Sequence, residues 1–240
     1  MALTVLITGF GPFPGAPFNP TEGLVHRLGL RRRPALDGIE RITHVFRTSY
    51  AVVDEELPAL IARHHPDILL MFGLAARTPY VRIETRARNT VSALVPDAKG
   101  RLLKRKGIRP GAVAALVGRA PFQKLLCAAR TTRVPARLSR DAGTYLCNYV
   151  YWRGIEAQAR ERQIPLVAFV HVPKTRRGPR PPGRKRARTQ NDLVRAGEAV
   201  LLALVSAAHA AACAAAAGRS RSVPISASAR RSAPRRSRFR

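Results

Sequence analysis

The sequence predicts an α/β fold, a three-layer α/β/α sandwich with a mostly parallel central sheet. Short apolar runs typical of strands alternate along the chain with segments whose apolar residues recur at helical spacing. Two of the runs, residues 66–72 (PDILLMF) and 166–172 (LVAFVHV), are almost continuous in apolar residues. Such runs are expected of strands buried on both faces, as the strands of a parallel sheet are.

Length and composition fit one substantial domain with a tail. The chain has 240 residues, of which 46% are hydrophobic, an ordinary value for a globular protein. We expect a single domain over residues 1–217 and a disordered Arg/Ser-rich tail over residues 218–240. We expect no membrane span, because the nearest candidate, residues 196–218, is Ala-rich and includes Glu198 and His209.

The cysteines indicate a reducing compartment. Cys127, Cys147 and Cys213 are an odd number without paired spacing, and the N-terminus lacks the features of a secretory signal. We therefore expect a cytoplasmic protein with free thiols. The glycines of residues 9–11 do not form a phosphate-binding pattern, and we expect neither a cofactor nor a metal.

The net charge of +29 is concentrated in two segments. Residues 174–188 and 219–240 each carry eight Lys or Arg and no acidic residue, more than half of the excess together. Both are rich in Pro, Gly or Ser, which predicts a basic loop over residues 174–190 and an unpacked tail. Nucleic acid could be bound only through these segments, and the 6% of aromatic residues are not interleaved with them.

The first strand is predicted at residues 4–8 (TVLIT), followed by a loop rich in Gly and Pro. Loops at this end of a strand are where open α/β sheets place ligand contacts. Phe10, Phe13 and Phe18 therefore either line a pocket or plug the end of the sheet. Asn19, which precedes a proline, predicts the start of a helix.

The next elements continue the alternation. Residues 42–47 and 66–72 are strand candidates, and residues 50–64 have helical spacing, with Pro58 kinking the helix or marking its start. Beyond the third strand, apolar and charged residues alternate up to Glu84. Glu84 is one acid among several arginines, so it either belongs to a site or forms a surface ion pair.

The middle of the chain is predicted to contain a loop, a broken helical segment and a last strong strand. Residues 95–111 form a polar, basic loop, and residues 112–131 are predicted to be helical and broken by Pro121. Cys127 lies on the apolar side of that segment, which predicts a place in the core. The last strong strand carries His171 near its end, where either a structural or a catalytic histidine is expected.

Residues 138–152 (LSRDAGTYLCNYVYW) place a cysteine near the predicted start of a helix. Turn and cap residues precede Cys147, and helical spacing continues over residues 148–162. Backbone N–H groups and the helix dipole stabilise a thiolate at such a position, so we expect a lowered pKa for Cys147. The alternative is a small buried cysteine without chemistry. A final amphipathic helix is predicted over residues 191–206.

Four blocks of the sequence together carry a family resemblance. In chain order they are GFGPFPGAPFNPT, FGLAARTPYVRIETRARN, DAGTYLCNYVYW and FVHVP. Over roughly residues 3–206, their order and separations resemble those of the pyroglutamyl peptidase I family, also called pyrrolidone-carboxylate peptidases. The resemblance implies a cysteine peptidase that removes an N-terminal pyroglutamyl residue from peptides, needs no cofactor and forms a homo-oligomer, either a dimer or a tetramer.

The resemblance also implies the roles of individual residues. Cys147 would be the nucleophile, His171 the base and later the acid, and Glu84 the group that holds His171. For substrate binding it implies Phe10, Phe13 and Tyr145 against the lactam ring, Asn19 near the pocket, and Leu74 at a position where the family has glutamine. An apolar pocket suits pyroglutamate, which has neither a free amine nor a charged side chain.

The chain departs from the family pattern around the expected pocket. Leu74 replaces the glutamine, Arg77 stands where glycine is common, and Leu94 replaces an arginine that could assist an oxyanion. Tyr145 replaces a common phenylalanine and adds a hydroxyl that needs a partner. Two other functions therefore stay open: a cysteine amidase for another small acyl group, and an inactive hydrolase scaffold that binds nucleic acid.

Overall fold

The structure is a computed structural model that describes residues 3–13, 15–103, 107–161, 164–176 and 188–220. The strands assigned within these residues are β1 (Thr4–Phe10), β2 (Glu40–Phe46), β3 (Ile68–Leu74), β4 (Val81–Glu84), β5 (Arg86–Arg88), β6 (Ala115–Val117), β7 (Ala136–Ser139) and β8 (Leu166–Val172). The α-helices are α1 (Pro20–Gly29), α2 (Tyr50–His64), α3 (Phe122–Thr131), α4 (Leu146–Glu161) and α5 (Gln190–Ser220). The alternation of strands and helices confirms the predicted α/β class.

Side chains fix the starts of the first two helices, from the adjacent residue in α1 and from a distant residue in α2. α1 begins after Asn19, whose Oδ1 accepts a hydrogen bond from the Thr21 N–H at 3.1 Å. α2 has no cap from its own preceding residue; instead Asp97 Oδ2 accepts hydrogen bonds from Ser49 Oγ at 2.8 Å and from the Tyr50 N–H at 3.1 Å. Both arrangements satisfy N–H groups that a helix leaves without partners in its first turn.

Six strands form the main sheet, in the order β2-β1-β3-β8-β4-β7. Neighbouring strands run parallel except for β4 and β8, which pair antiparallel. In that pair Arg82 lies directly opposite His171, and Glu84 lies opposite Phe169. β5 and β6 form a separate antiparallel ribbon. The sheet is therefore mostly parallel, as predicted, with one reversed strand beside β8.

Helices cover both faces of the sheet and produce the predicted three layers. On one face α1, α3 and α5 pack against alternate sheet residues such as Leu70 and Val170. On the other face α2 and α4 pack against residues of opposite parity such as Met71 and Phe169. The two-residue period of a strand sends successive side chains to opposite layers, so β3 and β8 are buried on both sides.

Two local predictions differ from the structure. Residues 112–121 are not helical, because they contain β6 and a connection to Pro121, after which α3 begins. The sequence predicted a core position for Cys127, but this residue is exposed on α3. Of the two alternatives for Pro58, the structure has the one in which the proline lies within α2.

Backbone contacts divide the chain into a unit of residues 1–208 and a unit of residues 209–240. The predicted domain end at residue 217 stays a prediction. By length and composition, residues 190–214 of α5 could cross a membrane, but core helices pass the same test, and Leu193, Val200 and Leu204 are buried in the first unit. Most of the predicted basic loop, residues 177–187, and the tail beyond residue 220 lie outside the described residues.

Candidate active site

Three neighbouring strands bring one residue each into a row near the carboxyl ends of β3 and β8. Gly73 of β3 pairs with His171 of β8 in parallel register, and His171 pairs with Arg82 of the reversed β4. Cross-strand partners point their side chains to the same face of a sheet. The row therefore presents an imidazole flanked by a guanidinium on one side and by a position without a side chain on the other.

Cys147 is the second residue of α4, and its sulphur lies next to Gly73. A Cβ added at Gly73 would be only 2.7 Å from Cys147 Sγ, closer than such atoms approach in proteins. Gly73 thus makes room for the sulphur beside β8. The structure confirms the prediction that Cys147 lies at a helix N-terminus.

His171 is held by Glu84. Both side chains are buried, with 4% and 0% of their surfaces exposed, and His171 Nδ1 donates a hydrogen bond to Glu84 Oε1 at 2.8 Å. Tyr151, one helical turn after Cys147, donates from its hydroxyl to the carbonyl oxygen of Glu84 at 2.9 Å. Glu84 is therefore a buried partner of His171 rather than the surface ion pair considered above.

Burial dominates the electrostatics of the candidate nucleophile and base. It raises the pKa of the Cys147 thiol to about 12, and the Glu84 carboxylate acts in the same direction. Arg82 and the backbone N–H groups of Cys147 and Leu74 oppose this shift without cancelling it. Burial also lowers the pKa of His171, although Glu84 opposes that change. The prediction of a lowered thiol pKa is therefore wrong for the free protein, because desolvation outweighs the helix terminus.

A cavity of about 450 Å³ adjoins these groups. Every predicted binding residue lines it together with Cys147 and His171, namely Phe10, Phe13, Asn19, Leu74 and Tyr145. Phe18, by contrast, is 40% exposed and does not belong to this lining. A cavity lined mainly by apolar side chains with a few polar groups is the usual form of a small-molecule site.

The cavity residues differ in how they are held. The ring centroid of Tyr145 lies 6.3 Å from that of Phe13, and its hydroxyl donates to the carbonyl oxygen of Pro96 at 3.0 Å. The extra hydroxyl of Tyr145 thus has its partner. Asn19 donates from Nδ2 to the Gly11 carbonyl at 3.1 Å while it caps α1, so it fixes the loop that carries the phenylalanines.

Sequence reasoning did not single out two parts of this site. Arg82 reaches both Glu84 and His171, but in the sequence it is one of many arginines. Val95 also lines the cavity, and its segment is fixed by Asp97, the residue that caps α2 from a distance. Only alternation with apolar neighbours could have placed Arg82 on the Glu84 face of its strand. Among the described residues, no group of three or more His, Cys, Asp or Glu side chains could hold a metal ion.

A family model described as pyroglutamyl peptidase matches residues 3–177, more than half of the chain. The chain belongs to the pyroglutamyl peptidase family. A pyrrolidone-carboxylate peptidase from Pyrococcus furiosus is 32% identical over 176 residues, covering 71% of this chain and 81% of that protein. A pyrrolidone-carboxylate peptidase from Clavibacter michiganensis is 33% identical over 171 residues, covering 71% and 78%.

The same family appears among solved structures. A mutant pyrrolidone carboxyl peptidase from Pyrococcus furiosus matches with a TM-score of 0.75 at 26% identity, covering 85% of this chain and 99% of that one. These matches confirm the family, the fold class and the class of enzyme, a cysteine hydrolase, that the sequence predicts. They support pyroglutamyl peptidase function and do not favour the inactive, nucleic-acid-binding scaffold.

Proposed function

We propose that the protein is a cysteine peptidase that hydrolyses the amide bond after an N-terminal pyroglutamyl residue, through a thioester intermediate. One observation carries the proposal: Cys147 and His171 line a single apolar cavity, and buried Glu84 orients His171. Nucleophile, base and orienting acid are the three parts that this type of acyl transfer needs. Family membership supplies the substrate class.

The hydrogen bond to Glu84 supports Nε2 of His171 as the nitrogen that acts as the base. Because Nδ1 carries the proton that is donated to Glu84, Nε2 of His171 keeps its lone pair and serves as the base. It takes the thiol proton of Cys147 as the sulphur attacks the pyroglutamyl carbonyl carbon. Burial raises the pKa of the thiol and lowers the pKa of the imidazole, which favours the neutral form of each, so we propose that proton transfer accompanies the attack.

The start of α4 suits the oxyanion that this attack creates. The first hydrogen bond of the helix runs from the Tyr149 N–H to the Tyr145 carbonyl at 3.0 Å. The N–H groups of Leu146 and Cys147 therefore precede the hydrogen-bonded ladder of α4. Backbone donors at a helix N-terminus stabilise developing negative charge, and we place the oxyanion there.

The second half of the reaction reverses the roles of His171. The protonated imidazole gives its proton to the leaving amine as the carbon–nitrogen bond breaks, which leaves the pyroglutamyl group on Cys147 as a thioester. Water, deprotonated by Nε2, then attacks the thioester. Pyroglutamate is released, and the proton returns to the Cys147 sulphur. No cofactor is needed for either half.

Release of a chromogenic amine from a pyroglutamyl amide tests this function, with prolyl and glutamyl amides beside it. We expect turnover of the pyroglutamyl amide only, and a loss of at least about a thousandfold in Cys147→Ser. Cys127→Ser is the matched control, because Cys127 is an exposed thiol outside the cavity. Turnover of a different acyl amide would favour the amidase alternative. No turnover by folded protein would make salt-dependent nucleic-acid binding the next measurement.

Three further properties stay predictions. The reducing, cytoplasmic location rests on the unpaired cysteines, and the homo-oligomer, dimer or tetramer, rests on the family resemblance. Nucleic-acid binding would involve the basic loop and the tail. Light scattering during gel filtration at two protein concentrations would give the mass of the assembly.

A further inference from the structure

Arg82 occupies a place that the reaction above does not use. It is the direct cross-strand partner of His171, and Glu84 follows it two positions later on the same face of β4. The side chain is 22% exposed and lines the cavity with Cys147 and His171. A cation in this position contacts Glu84 and His171 and acts through its charge on Cys147.

The Arg82 guanidinium contacts three elements at once. Its Nε lies 3.0 Å from Glu84 Oε1, and its Nη2 lies 3.1 Å from His171 Nδ1. The same Nη2 donates a hydrogen bond to the carbonyl oxygen of Asp141 at 3.1 Å. Asp141 belongs to the turn before Cys147, where its Oδ1 accepts from the Gly143 N–H at 2.9 Å. One side chain therefore joins β4, β8 and the turn before the nucleophile.

The contact between Arg82 and His171 cannot be a hydrogen bond in the active tautomer. A guanidinium only donates, and Nδ1 of His171 already carries the proton that Glu84 accepts. A fixed cation 3.1 Å from the ring instead opposes protonation of His171, whereas Glu84 favours it. Arg82 also favours the thiolate of Cys147, which Glu84 disfavours. Its charge thus balances that of the orienting acid.

The other charged groups around His171 are few. Asp141 favours its protonation from the turn before α4, and Cys147 faces it from α4. From β3 the neighbouring residue is Gly73, which carries no charge. Among the described groups, Arg82 is therefore the cation that acts directly on the imidazole.

We propose, on the basis of the function proposed above, that Arg82 is a positioning residue of the active site, which fixes the turn before Cys147 and offsets the charge of Glu84 beside His171. It touches no bond that is made or broken in the reaction. Its effect is exerted through the orientation and the charge balance of Cys147, His171 and Glu84.

The chain offers a matched control in Arg86. Arg86 of β5 donates from Nε to the carbonyl oxygen of Arg140 at 2.9 Å, next to the Asp141 carbonyl that Arg82 contacts. Arg82→Gln and Arg86→Gln each remove one guanidinium bond to residues 140–141, but only Arg82→Gln removes the cation beside Glu84 and His171. Arg82→Lys keeps a cation and loses the planar fork that reaches three partners.

The test measures kcat/KM for the pyroglutamyl amide against pH. Without Arg82 the pKa of His171 rises, so in Arg82→Gln we expect the acid limb to move up by about one pH unit. We also expect kcat/KM on the plateau to fall about tenfold. In Arg82→Lys the limb should stay near that of the parent while the plateau falls. Arg86→Gln should change neither by more than about twofold.

A second readout does not depend on the identity of the substrate. In a Cys127→Ser, Cys213→Ser background, Cys147 is the remaining thiol, and its alkylation by iodoacetamide should be several-fold slower at pH 8 in Arg82→Gln. If the amide is not hydrolysed at all, the proposed function fails, and the alkylation rates still test Arg82.

Equal pH profiles and equal alkylation rates in Arg82→Gln and Arg86→Gln would overturn the proposal. Thermal unfolding establishes that each variant is folded. If Arg82→Gln does not fold, the plateau value of kcat/KM in Arg82→Lys tests the proposal instead. A plateau value in Arg82→Lys that matches that of Arg86→Gln would equally overturn the proposal.

Discussion

Burial favours the neutral forms of Cys147 and His171 in the free protein. It raises the pKa of the thiol to about 12 and lowers the pKa of the imidazole. We therefore expect a neutral thiol and a neutral imidazole in the resting state rather than a preformed thiolate–imidazolium pair. The bound carbonyl must be in place before the proton moves, which protects the sulphur from reacting with other electrophiles.

Alkylation of Cys147 by iodoacetamide tests the neutral resting state. Because the pKa of the thiol is raised, the logarithm of the rate should increase by about one for each pH unit between pH 6 and 9. Cys213, which is exposed, provides an internal comparison and can be followed by peptide mass spectrometry. A rate for Cys147 that is already constant above pH 6 would show that the ion pair exists after all.

Replacing Glu84 by Gln should move the acid limb of kcat/KM to lower pH. The carboxylate raises the pKa of His171, so its removal leaves Arg82 unopposed and makes the imidazole harder to protonate. The rate should fall by about a hundredfold, because an amide does not hold the Nδ1–H tautomer as a carboxylate does. An unchanged rate and pH profile would return Glu84 to a purely structural role.

At the scale of residues, the sequence identified the candidate site residues but not their burial or their distant partners. Asp141, Gly143 and Thr144 mark a turn before Cys147, so the place of the cysteine at a helix start follows from local chemistry. The direction of its pKa does not, because burial depends on Gly73 and on Phe169 from other strands. Arg82 was missed for the same reason: its partners come from distant parts of the chain.

At the scale of elements, the reversed strand β4 determines the site. Strand existence was predictable from the alternation of Val81 and Ile83 with charged residues, and this alternation also puts Arg82 and Glu84 on one face. Its direction was not predictable, since four residues pair equally well either way and tertiary packing decides. The β6 strand within residues 112–121 is only three residues long, too short for a periodic signal, and the apolar residues around it were misinterpreted as helix.

The row across β3, β8 and β4 predicts that Gly73→Ala disables the enzyme. The new Cβ would lie 2.7 Å from Cys147 Sγ and 2.7 Å from Cζ of Phe169, so the sulphur must move. We expect kcat to fall at least about a hundredfold and stability to drop by about 1–3 kcal/mol.

Gly23→Ala in α1 is the control for this prediction, because its nearest contact would be 3.4 Å and it lies in a helix. Turnover by a released-amine assay and unfolding in urea give the two quantities. Full activity in Gly73→Ala would mean that Cys147 does not need its present position.

At the scale of the whole molecule, most of the excess positive charge lies in segments other than those that form the described fold. More than half of the net charge of +29 lies in residues 174–188 and 219–240, which are largely outside the described residues, and the family match ends at residue 177, within the first of these segments. The composition alone suggested nucleic acid, but it describes the appendages. Fold and family were predictable because four sequence blocks fall on the strand ends and helix starts that meet at one cavity.

Stability should be greatest between about pH 6.5 and 8.5. Burial lowers the pKa of His171, so the unfolded chain binds a proton first as the pH falls below 6.5, and this favours unfolding. Burial raises the pKa of Cys147 above its ordinary value of 9.0, so the unfolded chain loses a proton first at alkaline pH, which also favours unfolding.

A further loss of stability is expected below about pH 4.5. Burial alone would raise the pKa values of Asp97, Glu156 and Glu198, but hydrogen bonds, with arginine charges at the two glutamates, outweigh burial and lower all three. Their stabilisation is present above the unfolded pKa and disappears as the pH falls. Melting temperatures from pH 3 to 10 measure the whole curve, and His171→Gln should remove only the loss that begins near pH 6.5. A flat curve from pH 4.5 to 7 would contradict the burial of His171.

Because Gly73, His171 and Arg82 pair across three central strands, the way in which activity is lost on heating depends on the stability of the sheet. The backbone amides of these positions belong to the interior of the sheet, where hydrogen exchange with solvent requires the opening of the entire sheet. Local fraying of loops leaves the distance between β3, β8 and β4 unchanged. Inactivation by heat should therefore coincide with cooperative melting, without an earlier phase in which the protein is folded and inactive.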